Sequence, residues 1–165
     1  MQWIRWCSVG LGLLLLAPVI AQDTPENKLP DDVAKALEKA DAIEIYSLNG
    51  ELNHRDGWHG AKVLGKTTLA TAGDRRTIVS AMKKGIEEGT RGARCFIPRH
   101  GLRVTYQETT YDFLICFECH WVYIYTNSSD KPLVLLISES PEKAFNKILT
   151  AAKIELAKPE ADEKE

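Results

Sequence analysis

The sequence predicts one α+β domain: a curved antiparallel sheet of about five strands with two longer helices on one face, in the order αββαβββα. Three observations carry this. Segments with apolar residues at helical spacing flank and interrupt the strand-like ones. The strand-like segments follow one another through short, turn-rich loops, which favours antiparallel pairing. The length of 165 residues, with 44% hydrophobic and 27% charged, fits one domain and excludes collagen-like, disordered and multi-spanning chains.

Each element has its own signal. Residues 31–40 carry Val33, Ala36, Leu37 and Ala40 at helical spacing, with Asp31 as cap. AIEIYSL at 42–48 reads as a strand, and 49–60 as a loop marked by Asn49-Gly50 and Asp56-Gly57. Val63, Thr67, Thr68 and Leu69 support a strand over 61–71. Asp74 is the expected cap of a helix to about Glu88, with Ile78, Val79, Met82 and Ile86 on its apolar face and Gly89 as its stop. Residues 102–107 and 111–126 are the strongest strand signals. Between them a turn at Gln107-Glu108 pairs Arg103 with Asp112 and carries Arg99 opposite Cys116.

Read as one strand, 111–126 places Tyr111, Phe113, Ile115, Phe117, Cys119, Trp121, Tyr123 and Tyr125 on the helix-facing side. The other face is polar in its middle and open to water or covered only by a loop. LVLLIS at 133–138 is apolar enough for a central strand. Ser140 and Pro141 open a last helix whose inward face carries Phe145, Ile148, Leu149, Ala152 and Leu156.

Residues 1–21 have the layout of a secretory signal: Arg5, an apolar run from Val9 to Ile20 too short to span a bilayer, and cleavage after Ala21. The expected organisation is therefore signal peptide 1–21, linker 22–30, domain 31–157 and a disordered charged tail 158–165. The expected location is exported, periplasmic or extracellular, with no membrane span after cleavage.

Residues 62–103 carry a local charge of +7 within an acidic chain, and no nucleic-acid motif accompanies it. The +7 stretch reads as solvated helix faces. Without Cys7, three cysteines remain, an odd number in an oxidising compartment.

Those three, Cys95, Cys116 and Cys119, lie with His100, Arg99, Glu118 and His120 in the only segments suggestive of chemistry. Four readings fit them. Cys116-x-x-Cys119-His120 matches a c-type haem site literally, with Met82, His54, His59 or His100 as the second axial ligand. An extended strand would turn its two cysteines to opposite faces and oppose haem. Cys95, His100, Cys116 and Cys119 offer four zinc ligands of suitable type, with the same strand objection. Thiol redox chemistry normally has its C-x-x-C at a helix start, and none is signalled here. The structural reading is one disulfide from Cys95 to Cys116 or Cys119, with a leftover buried thiol. It is the leading expectation: a non-enzymatic exported domain, with no cofactor required. An enzymatic version, Cys116 as nucleophile with Arg99 and His120, has no base fixed by spacing.

CFIPRHGLRVTY, YDFLICFEC, IYSLNG and GWHGAKVLGKTTL resemble an uncharacterised family of exported bacterial proteins with a C-F-x-P-R-H-G … I-C-F-E-C core. The resemblance implies bacterial origin and export. It picks out Cys95, Pro98, Arg99, His100, Cys116 and Cys119, and it brings no substrate.

Overall fold

The computed structural model describes residues 27–158. The expected signal peptide, the first part of the linker and the tail beyond Lys158 lie outside the described residues. The elements are α1 (Asp31–Lys39), β1 (Ala42–Leu48), β2 (Val63–Thr68), α2 (Ala72–Glu87), β3 (His100–Tyr106), β4 (Thr109–Cys116), β5 (Trp121–Thr126), β6 (Ser129–Leu136) and α3 (Glu142–Ala151). One antiparallel sheet runs β2-β1-β3-β4-β5-β6. The α+β class and the single-domain curved sheet are as expected, with six strands in place of about five.

The extra strand comes from 111–126, which is two strands joined by a turn at 117–120. Four turn residues reset the alternation. Phe113 and Ile115 of β4 face the helices as expected, but in β5 the helix-facing residues are Val122 and Ile124. Tyr123 and Tyr125 lie on the opposite face. The run at 133–138 also differs: its strand part is β6, at the sheet edge, with Leu133 and Val134 exposed. Hydrophobicity alone does not distinguish an edge strand from a central one.

All three helices contribute to one core on one face. Val33, Leu37, Ile78, Met82, Ile86, Phe145 and Leu149 pack on Ile43, Ile45, Leu102, Val104, Phe113, Ile115 and Ile124. Helix α2 is capped by Thr71 rather than Asp74. The Thr71 hydroxyl accepts the Asp74 N–H at 3.0 Å and donates to the Asp74 carboxylate at 2.6 Å. Of the polar stretch before α1, the described part docks on the domain. Leu29 is buried in the core. The Asn27 amide donates to the carbonyls of Ile86, Gly89 and Leu136, and its oxygen accepts the Leu136 N–H.

The β3–β4 hairpin has the expected register, with Arg103 opposite Asp112 and Tyr106 opposite Thr109. Gln107 in its turn has φ 54°, a left-handed conformation that disfavours a residue with a Cβ. Its N–H donates to Asp41 Oδ2 at 2.7 Å, which ties the turn to β1.

The face away from the helices carries a second, smaller cluster: Tyr46, Leu48, Ala61 and Leu114, with Trp58, Phe96, Tyr123 and Tyr125 packed against it. The 49–62 loop supplies the cover. Trp58 stacks on Tyr46 with ring centroids 4.2 Å apart and nearly parallel planes. It lies directly over Gly101, where a side chain on β3 would leave no room for the indole. From sequence alone His54, Trp58 and His59 in this loop read as exposed; His59 is, but His54 and Trp58 are half-buried. The indole docks on the sheet because Gly101 leaves a flat apolar seat beside Tyr46.

Candidate functional site

Cys95, Cys116 and Cys119 converge at the end of the β4–β5 hairpin. Cys116 is the last residue of β4 and Cys119 lies in the turn that follows. The two form a disulfide with Cα atoms 5.2 Å apart. This corrects the expected pairing of Cys95 with one of them, and the reason is the turn: once 117–120 leaves the strand, residues three apart face each other. The same turn removes the strand-based objection to a C-x-x-C at this position. Both sulfurs are buried, Cys116 at 1% and Cys119 at 0% exposure, and each is bonded to the other.

Among the described residues Cys95 is the free cysteine, and it is exposed. Its thiol is directed at Cys119 Sγ, 2.8 Å away. The segment before it is pinned to the turn: Ala93 N–H donates to the Cys119 carbonyl at 2.9 Å, and Trp121 Nε1 donates to the Ala93 carbonyl at 2.7 Å. His120, at φ 59°, has its Nδ1 3.2 Å from the Arg91 carbonyl. On the other side of the pair, the Cys119 N–H donates to Cys116 Sγ at 3.1 Å. The sulfur of Cys116 thus has a backbone donor, and that of Cys119 has a thiol neighbour.

Arg99 and Glu118 form an ion pair that straps the residue before β3 to the turn. The Arg99 side chain is largely buried, while Glu118 is half exposed. Arg99 Nε has no hydrogen-bond partner among the described residues. Gly50, at φ 93°, leaves the space that Ile97 and Arg99 fill.

His100 goes elsewhere. It is buried on the helix side, with its Nε2 2.7 Å from Asn146 Oδ1 on α3 and its ring against Phe117 and Phe145. Burial pushes its pKa below the ordinary histidine range, and the Asn146 hydrogen bond only partly opposes this. Among the described residues no three His, Cys, Asp or Glu side chains gather in metal-binding geometry. Of the expected zinc set, the structure brings together Cys95, Cys116 and Cys119 and places His100 against Asn146. Met82 is buried in the core, and His54 and His59 belong to the 49–62 loop.

A second polar cluster is built on the expected Arg103–Asp112 pair. Arg103 makes a bidentate pair with Asp112, both bonds at 2.7 Å. His59 Nε2 lies 2.7 Å from the same carboxylate and stacks on Tyr125. The Arg103 guanidinium sits over the Trp58 ring, 5.7 Å from its centroid. Burial pushes the Asp112 carboxyl up, but hydrogen bonds from Arg103 and His59 outweigh it and hold the pKa below the usual carboxylate range. The Arg103–Asp112 pairing was legible in the hairpin register, whereas the arrival of His59 needs the loop's docking and has no local signal. These contacts satisfy the Asp112 carboxylate, and the His59 hydrogen bond joins the loop to the sheet.

No protein-family model, no curated protein and no solved structure matches this chain.

Proposed function

We propose that the chain is an exported, non-enzymatic α+β domain in which the Cys116–Cys119 disulfide clips the β4–β5 turn and so holds the 91–99 segment on the sheet. The observation that carries this reading is the turn itself. Its disulfide fixes the Cys119 carbonyl that receives Ala93 N–H and the Glu118 carboxylate that pairs with Arg99. Export, an origin in bacteria and a place in the uncharacterised exported family are part of the proposal, supported by the signal-like first residues and by the motifs around Cys95 and Cys116.

The test is non-reducing peptide mapping with intact mass and metal analysis, on protein recovered from the extracytoplasmic fraction. The expected result is a chain beginning at Gln22, a single Cys116–Cys119 disulfide, one free thiol, and neither haem nor stoichiometric metal. Three free thiols with one bound zinc would overturn the clip in favour of a metal centre built from the same sulfurs. A covalently bound haem would overturn it in favour of an electron-transfer protein.

A further inference from the structure

We infer that Cys95 is the entry point of a thiol–disulfide exchange site, through which the Cys116–Cys119 disulfide accepts two electrons from an external dithiol. The inference rests on the proposed disulfide clip and adds a chemistry to it. Four features of the site support it. Cys95 is exposed, so an external thiol can reach it. Cys116 and Cys119 are both buried, so the disulfide cannot be attacked directly from solvent. The Cys95 thiol already lies 2.8 Å from Cys119 Sγ, the sulfur it must attack. Cys116, the leaving group of that attack, accepts a backbone N–H at 3.1 Å, which favours its thiolate.

The chemistry balances in three steps. First the Cys95 thiolate attacks Cys119 Sγ. The Cys95–Cys119 bond forms, the Cys116–Cys119 bond breaks, and Cys116 leaves as a thiolate and takes up a proton equivalent to the one Cys95 gave up. Nothing is oxidised or reduced overall, and the new disulfide has an exposed sulfur. Second, a thiolate of the dithiol attacks Cys95 Sγ, forming a mixed disulfide and releasing Cys119 as a thiolate. Third, the dithiol's other thiolate attacks its own sulfur in that mixed disulfide, closing the substrate disulfide and returning Cys95 as a free thiol. The substrate loses two electrons and two protons, and Cys116 and Cys119 end as thiols. The site is a stoichiometric acceptor, which agrees with a non-enzymatic domain. Its substrate class is an exposed dithiol on a peptide, protein or small molecule.

Dithiothreitol is the probe. In the folded protein it should reduce the Cys116–Cys119 disulfide on the order of a hundredfold more slowly in Cys95→Ser than in wild type, because reduction then waits for local opening of the turn. Circular dichroism and peptide mapping check that the variant is folded and still carries the disulfide. A second variant, Cys116→Ser, treated with oxidised glutathione should close a Cys95–Cys119 disulfide with release of two glutathione thiols. Equal reduction rates in wild type and Cys95→Ser overturn the inference. So does a Cys116→Ser protein that stops at glutathionylated Cys95 with Cys119 free. Wild-type protein isolated without the Cys116–Cys119 bond would overturn the clip itself, whereas equal rates with the bond present overturn only the exchange.

Discussion

Gly101→Ala tests how the 49–62 loop is held on the sheet. Gly101 is buried in β3, beneath the Trp58 indole. A Cβ there would clash with Trp58 Cζ3, lie 2.8 Å from Cη2 and come within 3.2 Å of Tyr46 Cβ. Neither neighbour can give easily, because Trp58 and Tyr46 are stacked on each other. Overpacking of this kind costs about 1–3 kcal/mol. Replacing a strand glycine by alanine returns about 0.5–1 kcal/mol of backbone entropy, so the net loss should lie within about 0–2.5 kcal/mol and centre on ~1 kcal/mol. Trp58→Ala removes the obstacle and the stack together, at about 2–4 kcal/mol for a partly buried indole. In that background Gly101→Ala should be neutral or slightly stabilising. The double-mutant cycle should therefore show a coupling of about 2 kcal/mol, well above the ~0.5 kcal/mol scatter of independent sites. Urea unfolding followed by far-UV circular dichroism measures all four proteins without relying on Trp58 as a fluorophore. If Gly101→Ala costs as much without the indole as with it, the seat described for Trp58 is wrong.

Three further outcomes follow from the polar contacts. Asp112→Asn should cost about 1–3 kcal/mol near neutrality, since Arg103 and His59 lose their carboxylate. The folded Asp112 pKa is lowered, so its contribution is present above the unfolded value of about 3.9 and is lost as pH falls through the folded value. The urea midpoints of wild type and variant should accordingly converge in acid. His100 also has a lowered folded pKa, so its contribution is complete above about pH 6.5 and declines as the pH drops toward the folded value. His100→Gln should flatten the stability profile below about pH 6.5, and NMR titration of the wild-type ring should place its midpoint below the ordinary histidine value. Asn27→Ala removes four hydrogen bonds that join the N-terminal segment to the end of α2 and to β6. It should cost about 1–3 kcal/mol, read as a lower melting temperature.

The hairpin at 100–116 was legible because two signals agree there: an opposite-charge pair, Arg103 and Asp112, and alternation on both sides of a two-residue turn. The turn at 117–120 was illegible for the converse reason. Phe117-Glu118-Cys119-His120 contains no glycine, proline or asparagine, and its apolar residues continue the strand alternation. The bend is held by a covalent bond and by His120 in a left-handed conformation, neither of which alternation registers. The proximity of Cys95 to Cys119 was legible from the hairpin, but the pairing of Cys116 with Cys119 depended on the turn. Asn27 stayed hidden for another reason. An asparagine in a polar stretch looks like linker until the three carbonyls it serves, on Ile86, Gly89 and Leu136, are brought together by the fold.

The strand order has a kinetic consequence. Strands β3 to β6 are consecutive neighbours, so their pairing closes only short loops. Strand β1 pairs Ala42 with Thr105 and Ser47 with His100, and that contact must close a loop containing β2 and α2. Its closure costs about 2 kcal/mol more chain entropy than a hairpin. The meander is therefore the natural nucleus, and β1 is the strand that arrives late. Substitutions in β3–β5 should slow folding, while those in β1 should chiefly hasten unfolding. The C-x-x-C turn lies inside the early part, so its two sulfurs meet while β1 is still undocked. Oxidation of the turn need not wait for the finished fold, and a chain that emerges into an oxidising compartment can lock this corner first.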